Sequence, residues 1–112
     1  MRRRVDQPLL LLARVKQNLI LEHSADDDLL LGVIRAAVSY AESYQHRPTG
    51  HYTKTPLPPT SEQAVVMLAS HWYESRDGST GGFFGDKVGA AATVMGAVNN
   101  LLRLDRDWGA GV

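Results

Sequence analysis

The chain has 112 residues, with 12 lysines and arginines against 12 aspartates and glutamates, and no cysteine. A zero net charge excludes broad, sequence-independent nucleic-acid binding, which needs a surplus of positive charge, and the missing cysteines exclude a disulfide framework or a thiolate zinc site. The length suits one compact domain over residues 1–112, with 1–7 and 105–112 as flexible tails. Its core is thin, so oligomerisation would be a natural source of added stability.

Arg2-Arg3-Arg4 and then Leu9-Leu10-Leu11-Leu12 imitate a signal peptide. The apolar run is too short, however, and Arg14 and Lys16 place charge directly after it. No other stretch approaches spanning length, so the expectation is a soluble intracellular protein without a membrane partner. Pro8 suits a helix start, and a first short helix is expected from Leu9 to about Asn18. Four consecutive leucines exceed what one face requires. Either all are internal, or Leu10 or Leu11 contacts a neighbouring subunit.

Glu22 to Asp27 reads as a polar connector, with Asp26 or Asp27 capping a second helix from about Asp28 to Gln45. Three carboxylates there are explained by the helix dipole, and the calcium-loop spacing is absent. Leu30, Ile34, Ala37, Ala41 and Tyr44 form one apolar stripe. Leu29, Val33, Ala36 and Tyr40 form a second beside it, so this helix should pack against two neighbours. Tyr40 and Tyr44 suit amphipathic ring packing better than stacking on a base or ligand.

Residues 46–59 hold four of the five prolines and read as an extended connector, with Thr53 to Leu57 able to pair as an edge strand. His51, Tyr52 and Lys54 form a small polar and aromatic group there. The stretch from Pro58 to Arg76 has the signals of a central helix. Thr60 is placed as N-cap, Gln63 as its capping-box partner, Glu62 in the first turn and Gly78 beyond the end. Ala64, Met67, Leu68, His71 or Trp72, and Ser75 give it one broad apolar face.

The glycine-rich run from Gly78 to Gly85 reads as a flexible loop, without the Lys-Ser or Lys-Thr of a phosphate-binding loop. Phe83 and Phe84 lie on that loop, as a lid on the core or as an anchor for a partner. A last helix follows, for which the small residues Gly89 to Ala92 permit a start near Asp86, with Val94, Val98, Leu101 and Leu102 inward and Trp108 in the tail. The fold class is therefore all-α: a bundle of about four helices with a proline-rich connector and a glycine-rich loop.

Leu57-Pro58-Pro59, with a helix after it that carries Gln63, Ala64 and then His71-Trp72-Tyr73-Glu74 and Arg76, resembles the small head–tail connector proteins of long-tailed phages. Asp26-Asp27-Asp28 opening a helix through Ala36-Ala37 to Tyr40 and Tyr44 is similar too, and Val98 and Leu101-Leu102 are like the family's short closing helix, which implies the later start near Val94 that is expected here. The resemblance spans residues 9–104. It implies a structural virion protein at the head–tail junction, assembled in the host cytoplasm. Its copies would form a ring of about twelve beneath the portal protein, closed through two different patches on each subunit. The ring would extend the DNA channel, let DNA pass without sequence-specific binding, and present a surface to a tail-side connector or stopper protein. The family supplies no catalytic pattern and no cofactor. Leu10, Leu11, Tyr40, Tyr44, Phe83 and Phe84 are the expected interface residues.

No residue set reads as an active site or metal centre. His71 and Glu74 share a helix face, but a carboxylate-bridged metal site needs that pair repeated. The four histidines lack zinc spacing, and no serine sits in a nucleophile elbow. Two other classes compete with the connector reading. One is a helical DNA-binding module using Arg2 to Arg4 as an arm. The other is a small metal- or ligand-binding enzyme centred on His71 and Glu74.

Overall fold

A computed structural model describes residues 7–75 and 84–106. It contains α1 (Gln7–Leu19), α2 (Asp27–Tyr44), the one-turn α3 (His51–Lys54), α4 (Pro59–Ser75) and α5 (Phe84–Arg103), with no strand among the described residues. The expected edge strand from Thr53 to Leu57 is therefore corrected: α3 takes its first residues, and the remainder packs through Leu57 instead of pairing. The last helix also begins ten residues before Val94, at Phe84. Gly85, Gly89 and Gly96 are each individually tolerable in a helix carried by packing.

The bundle alternates in direction. Gln45 at the end of α2 bonds Ser61 at the start of α4 and Leu102 at the end of α5. At the other end Asp26, before α2, accepts a hydrogen bond from Tyr73 near the end of α4. Arg14 and Asn18 of α1 reach Glu62 and Ser70 of α4 in the same order, so these two helices run alike and α2 and α5 run against them.

Helix α4 lies at the centre, touching α1, α2 and α5. Its buried residues are Ser61, Ala64, Val65, Val66, Leu68, Ala69, Ser70 and Tyr73. That is more than the one expected face, because three neighbours surround it. Small residues at Ala64, Ala69 and Ser70 let those neighbours approach. Leu11 and Val15 from α1, Leu30, Ile34 and Ala41 from α2, and Val98 and Leu102 from α5 complete the core. On α2 the first stripe is buried as read, except that Tyr44 is only half-buried. Ala36 and Leu29 of the second stripe face solvent.

The cap expected at Thr60 is replaced by a different use of the same residues. The helix starts at Pro59, two residues before the Ser61 start that a Thr60 cap would give. The Thr60 and Ser61 hydroxyls donate to Asp105 Oδ2 at 2.5 and 2.7 Å, and Gln63 Oε1 accepts from Arg14. Gln45 is fully buried and its amide is engaged on both atoms: Nε2 donates to Ser61 Oγ (2.7 Å) and the Leu102 carbonyl (2.9 Å), and Oε1 accepts from the Tyr52 hydroxyl. Buried Glu42 accepts the Tyr52 and Gly50 N–H groups at 2.9 and 3.2 Å. It thereby supplies the cap that α3 lacks in its own sequence. Gly50 turns there with φ 87°, where a side chain would be strained.

Helices α1 and α2 both end in Schellman turns. Leu21 N–H bonds Lys16 O and Ile20 N–H bonds Gln17 O; Arg47 and His46 repeat the pattern on Glu42 and Ser43. The left-handed position is Ile20 (φ 59°) in the first and His46 (φ 62°) in the second. A β-branched residue there is strained by about 1–2 kcal/mol. Ile20 is also 82% exposed, so little packing offsets that cost. Replacing Ile20 by Gly should therefore raise the unfolding free energy of the subunit by about 1 kcal/mol in urea titration.

Burial holds the Tyr52 hydroxyl's pKa above its ordinary value of 10.0. The folded protein then keeps this proton to higher pH than the unfolded chain does. The corresponding stability is complete below pH 10 and is lost as pH rises toward the folded value. Stability of the wild type should fall more steeply above pH 10 than that of Tyr52→Phe, measured by denaturant titration across the alkaline range.

Candidate interaction surfaces

The expected contact residues fall into three groups. Leu10 is 64% exposed on the outer side of α1, beside Leu9 at 56%. Leu11 is 2% exposed and belongs to the core, so its assignment to an interface is corrected: one position further along the helix turns the side chain towards α2 and α4. Phe83 lies outside the described residues, and Phe84 opens α5 with a side chain that is not described.

Tyr40 and Tyr44 are half-buried and hold helices together. Their rings stack at 6.2 Å between centroids, and Tyr40 also meets the Trp72 ring edge-on at 6.3 Å. The Tyr40 hydroxyl donates to Asn99 Oδ1 at 2.7 Å, which joins α2 to α5. The Arg106 guanidinium lies 5.6 Å from the Tyr44 ring centre and donates to His46 Nε2 at 2.7 Å. These contacts match the amphipathic packing read from the sequence.

His71 is half-buried and Glu74 exposed on α4. Among the described residues no three histidine, aspartate or glutamate side chains converge on a point that would hold a metal ion. Arg2 to Arg4 lie outside the described residues. No described helix is long and apolar enough to cross a membrane.

Two features of the surface escape a linear reading. The first is a set of exposed apolar residues beyond α1: Ile20, Leu29 (41% exposed) and Leu104 (67% exposed). Ile20 and Leu104 sit just past helix ends, where periodicity no longer says which way a side chain faces. The second is the sorting of charge. Where α1 and α4 finish and α2 begins lie Glu22, Asp26, Asp27, Asp28 and Glu74, against Lys16, which pairs with Asp27 at 2.9 Å. Where α2 and α5 finish lie Arg47, Lys54, Arg103 and Arg106. The carboxylates at that end, Glu42 and Asp105, point inward to backbone N–H groups and to Thr60 and Ser61. Glu62 is paired with Arg14 at 2.6 Å. The dipoles of α2 and α5 favour this sorting. Among the described residues the charge of a neutral chain is thus sorted into one acidic and one basic end, each carrying exposed apolar side chains.

The leucine run gives a direct contrast. Leu11→Ala should cost roughly 2–5 kcal/mol of stability in denaturant titration, whereas Leu10→Ala should stay within about 0.5 kcal/mol.

Comparisons with curated proteins and with solved structures give no match. Over residues 10–103, however, the chain matches the family described as phage gp6-like head-tail connector protein. That span runs from the exposed face of α1 to the last residue of α5 and takes in every helix of the bundle. The chain belongs to the phage gp6-like head–tail connector family, and so is a structural component of a phage particle that joins head to tail.

Proposed function

We propose that this protein works as one connector domain, whose copies close into a ring of about twelve beneath the portal protein. The ring extends the DNA channel from the head and offers its far side to a tail-side connector or stopper. The reading rests on family membership across residues 10–103. A surface carrying several separate apolar patches, Leu9 and Leu10 on α1 and Ile20 and Leu104 at opposite ends, is what a subunit with several neighbours would present. Leu10, Tyr40, Tyr44, Phe83 and Phe84 remain the proposed contact residues, and the exposed rims of the two tyrosines suit contact more than catalysis. DNA slides past such a lining, so the neutral charge of the chain agrees with this role. No chemistry is assigned to the protein: its action is assembly, in the host cell and then in the virion.

Native mass spectrometry of the full chain over a concentration series, alone and with its portal protein, tests the reading. The expected result is a closed oligomer of about twelve, formed alone or on the portal. A chain that stays monomeric at every concentration and ignores the portal would overturn it.

A further inference from the structure

Ile20 is unfavourable twice over. It occupies the left-handed position of a Schellman turn, where glycine or asparagine fits without strain, and it leaves most of an isoleucine side chain in water. Strain kept at an exposed apolar residue points to a use outside the folded subunit. Its surroundings narrow that use: Ile20 shares the α1–α2 connector with exposed Glu22, and exposed Leu29 and Asp28 adjoin in the first turn of α2. An apolar centre inside an acidic frame fits an apolar surface inside a basic one.

Such a surface exists on this same chain, at the opposite end of the bundle. Leu104 is exposed there beside Arg103 and Arg106, with Lys54 exposed at the same end. The backbone under it is fixed before any partner arrives. Asp105 is held by Thr60, Ser61 and Arg47, and Arg106 by His46. A preformed surface loses less freedom on binding.

We infer that the acidic end of one subunit, with Ile20 at its centre, docks on the basic end of a second copy around Leu104. This deepens the ring reading and rests on it, because a closed ring needs a head-to-tail contact between two different patches. The contact joins apolar side chains at its centre and opposite charges at its edge, and it leaves the Leu9 and Leu10 face of α1 for other components of the junction.

The test uses two full-length variants, Ile20→Gly and Leu104→Glu, with the portal protein present. Both substitutions lie at exposed positions, and Ile20→Gly relieves backbone strain, so thermal unfolding should show each subunit folded. By native mass spectrometry each variant alone should self-associate roughly tenfold or more weakly than the wild type. Mixed one to one, they should form a dimer and nothing larger, since the glycine variant keeps an intact basic end and the glutamate variant an intact acidic end. Rings that survive both substitutions would overturn this pairing and leave the ring reading standing. So would a mixture that gives no dimer, or an Ile20→Gly variant that loses portal binding while still forming rings. A wild type that never self-associates would remove both.

Discussion

The amide of Gln45 is the point on which the bundle depends. It is fully buried, and its two polar atoms reach three elements: Nε2 donates to Ser61 of α4 and to the last turn of α5, and Oε1 accepts from Tyr52 of α3. A buried amide left unsatisfied would cost roughly 1–3 kcal/mol, so losing any one partner is felt at this shared point between the three elements. Beside it Glu42 holds the backbone of the connector, and Asp105 gathers the hydroxyls of Thr60 and Ser61. Hydrophobic burial along α4 holds the helices side by side. This polar cluster decides how far each slides along its neighbours.

Much of the architecture was legible in the chain. The stripe Leu30, Ile34, Ala37 and Ala41 repeats at helical spacing and is buried as that spacing requires, and the proline pair before the central helix marks its start. What failed did so where a local signal had a distant competitor. Thr60 and Gln63 carry a capping-box pattern, yet Asp105 and Arg14, remote in sequence, take their side chains. His51 to Lys54 lies among prolines and glycine and gives no helical signal of its own, because its cap comes from Glu42 on another helix. The small residues Gly89 to Ala92 permitted a start of α5 near Asp86, close to the one observed, and it was the family resemblance that pointed to the later start near Val94.

The interaction surfaces were less legible still. Within the leucine run periodicity places a face but not its phase, and Leu10 and Leu11 separate only once α1 is docked. The charge polarity cannot be seen in a composition that sums to zero. It arises because α2 and α5 run in the same direction, which brings the carboxylates before α2 and the cations after both helices to opposite ends. Assembly proteins gain from such an arrangement, since a dipolar subunit distinguishes its two ends to an approaching partner before any contact forms.

The clasp around Asp105 also has a kinetic side. Its bonds join residues separated by 44 to 58 positions, from Thr60 and Ser61 and from Arg47, whereas α1 and α2 meet across a short connector. Long loops are closed late, after local contacts have already formed. The turn carrying Leu104 therefore completes only when distant parts of the chain have met, and once closed it is held by Arg47, Thr60 and Ser61 together.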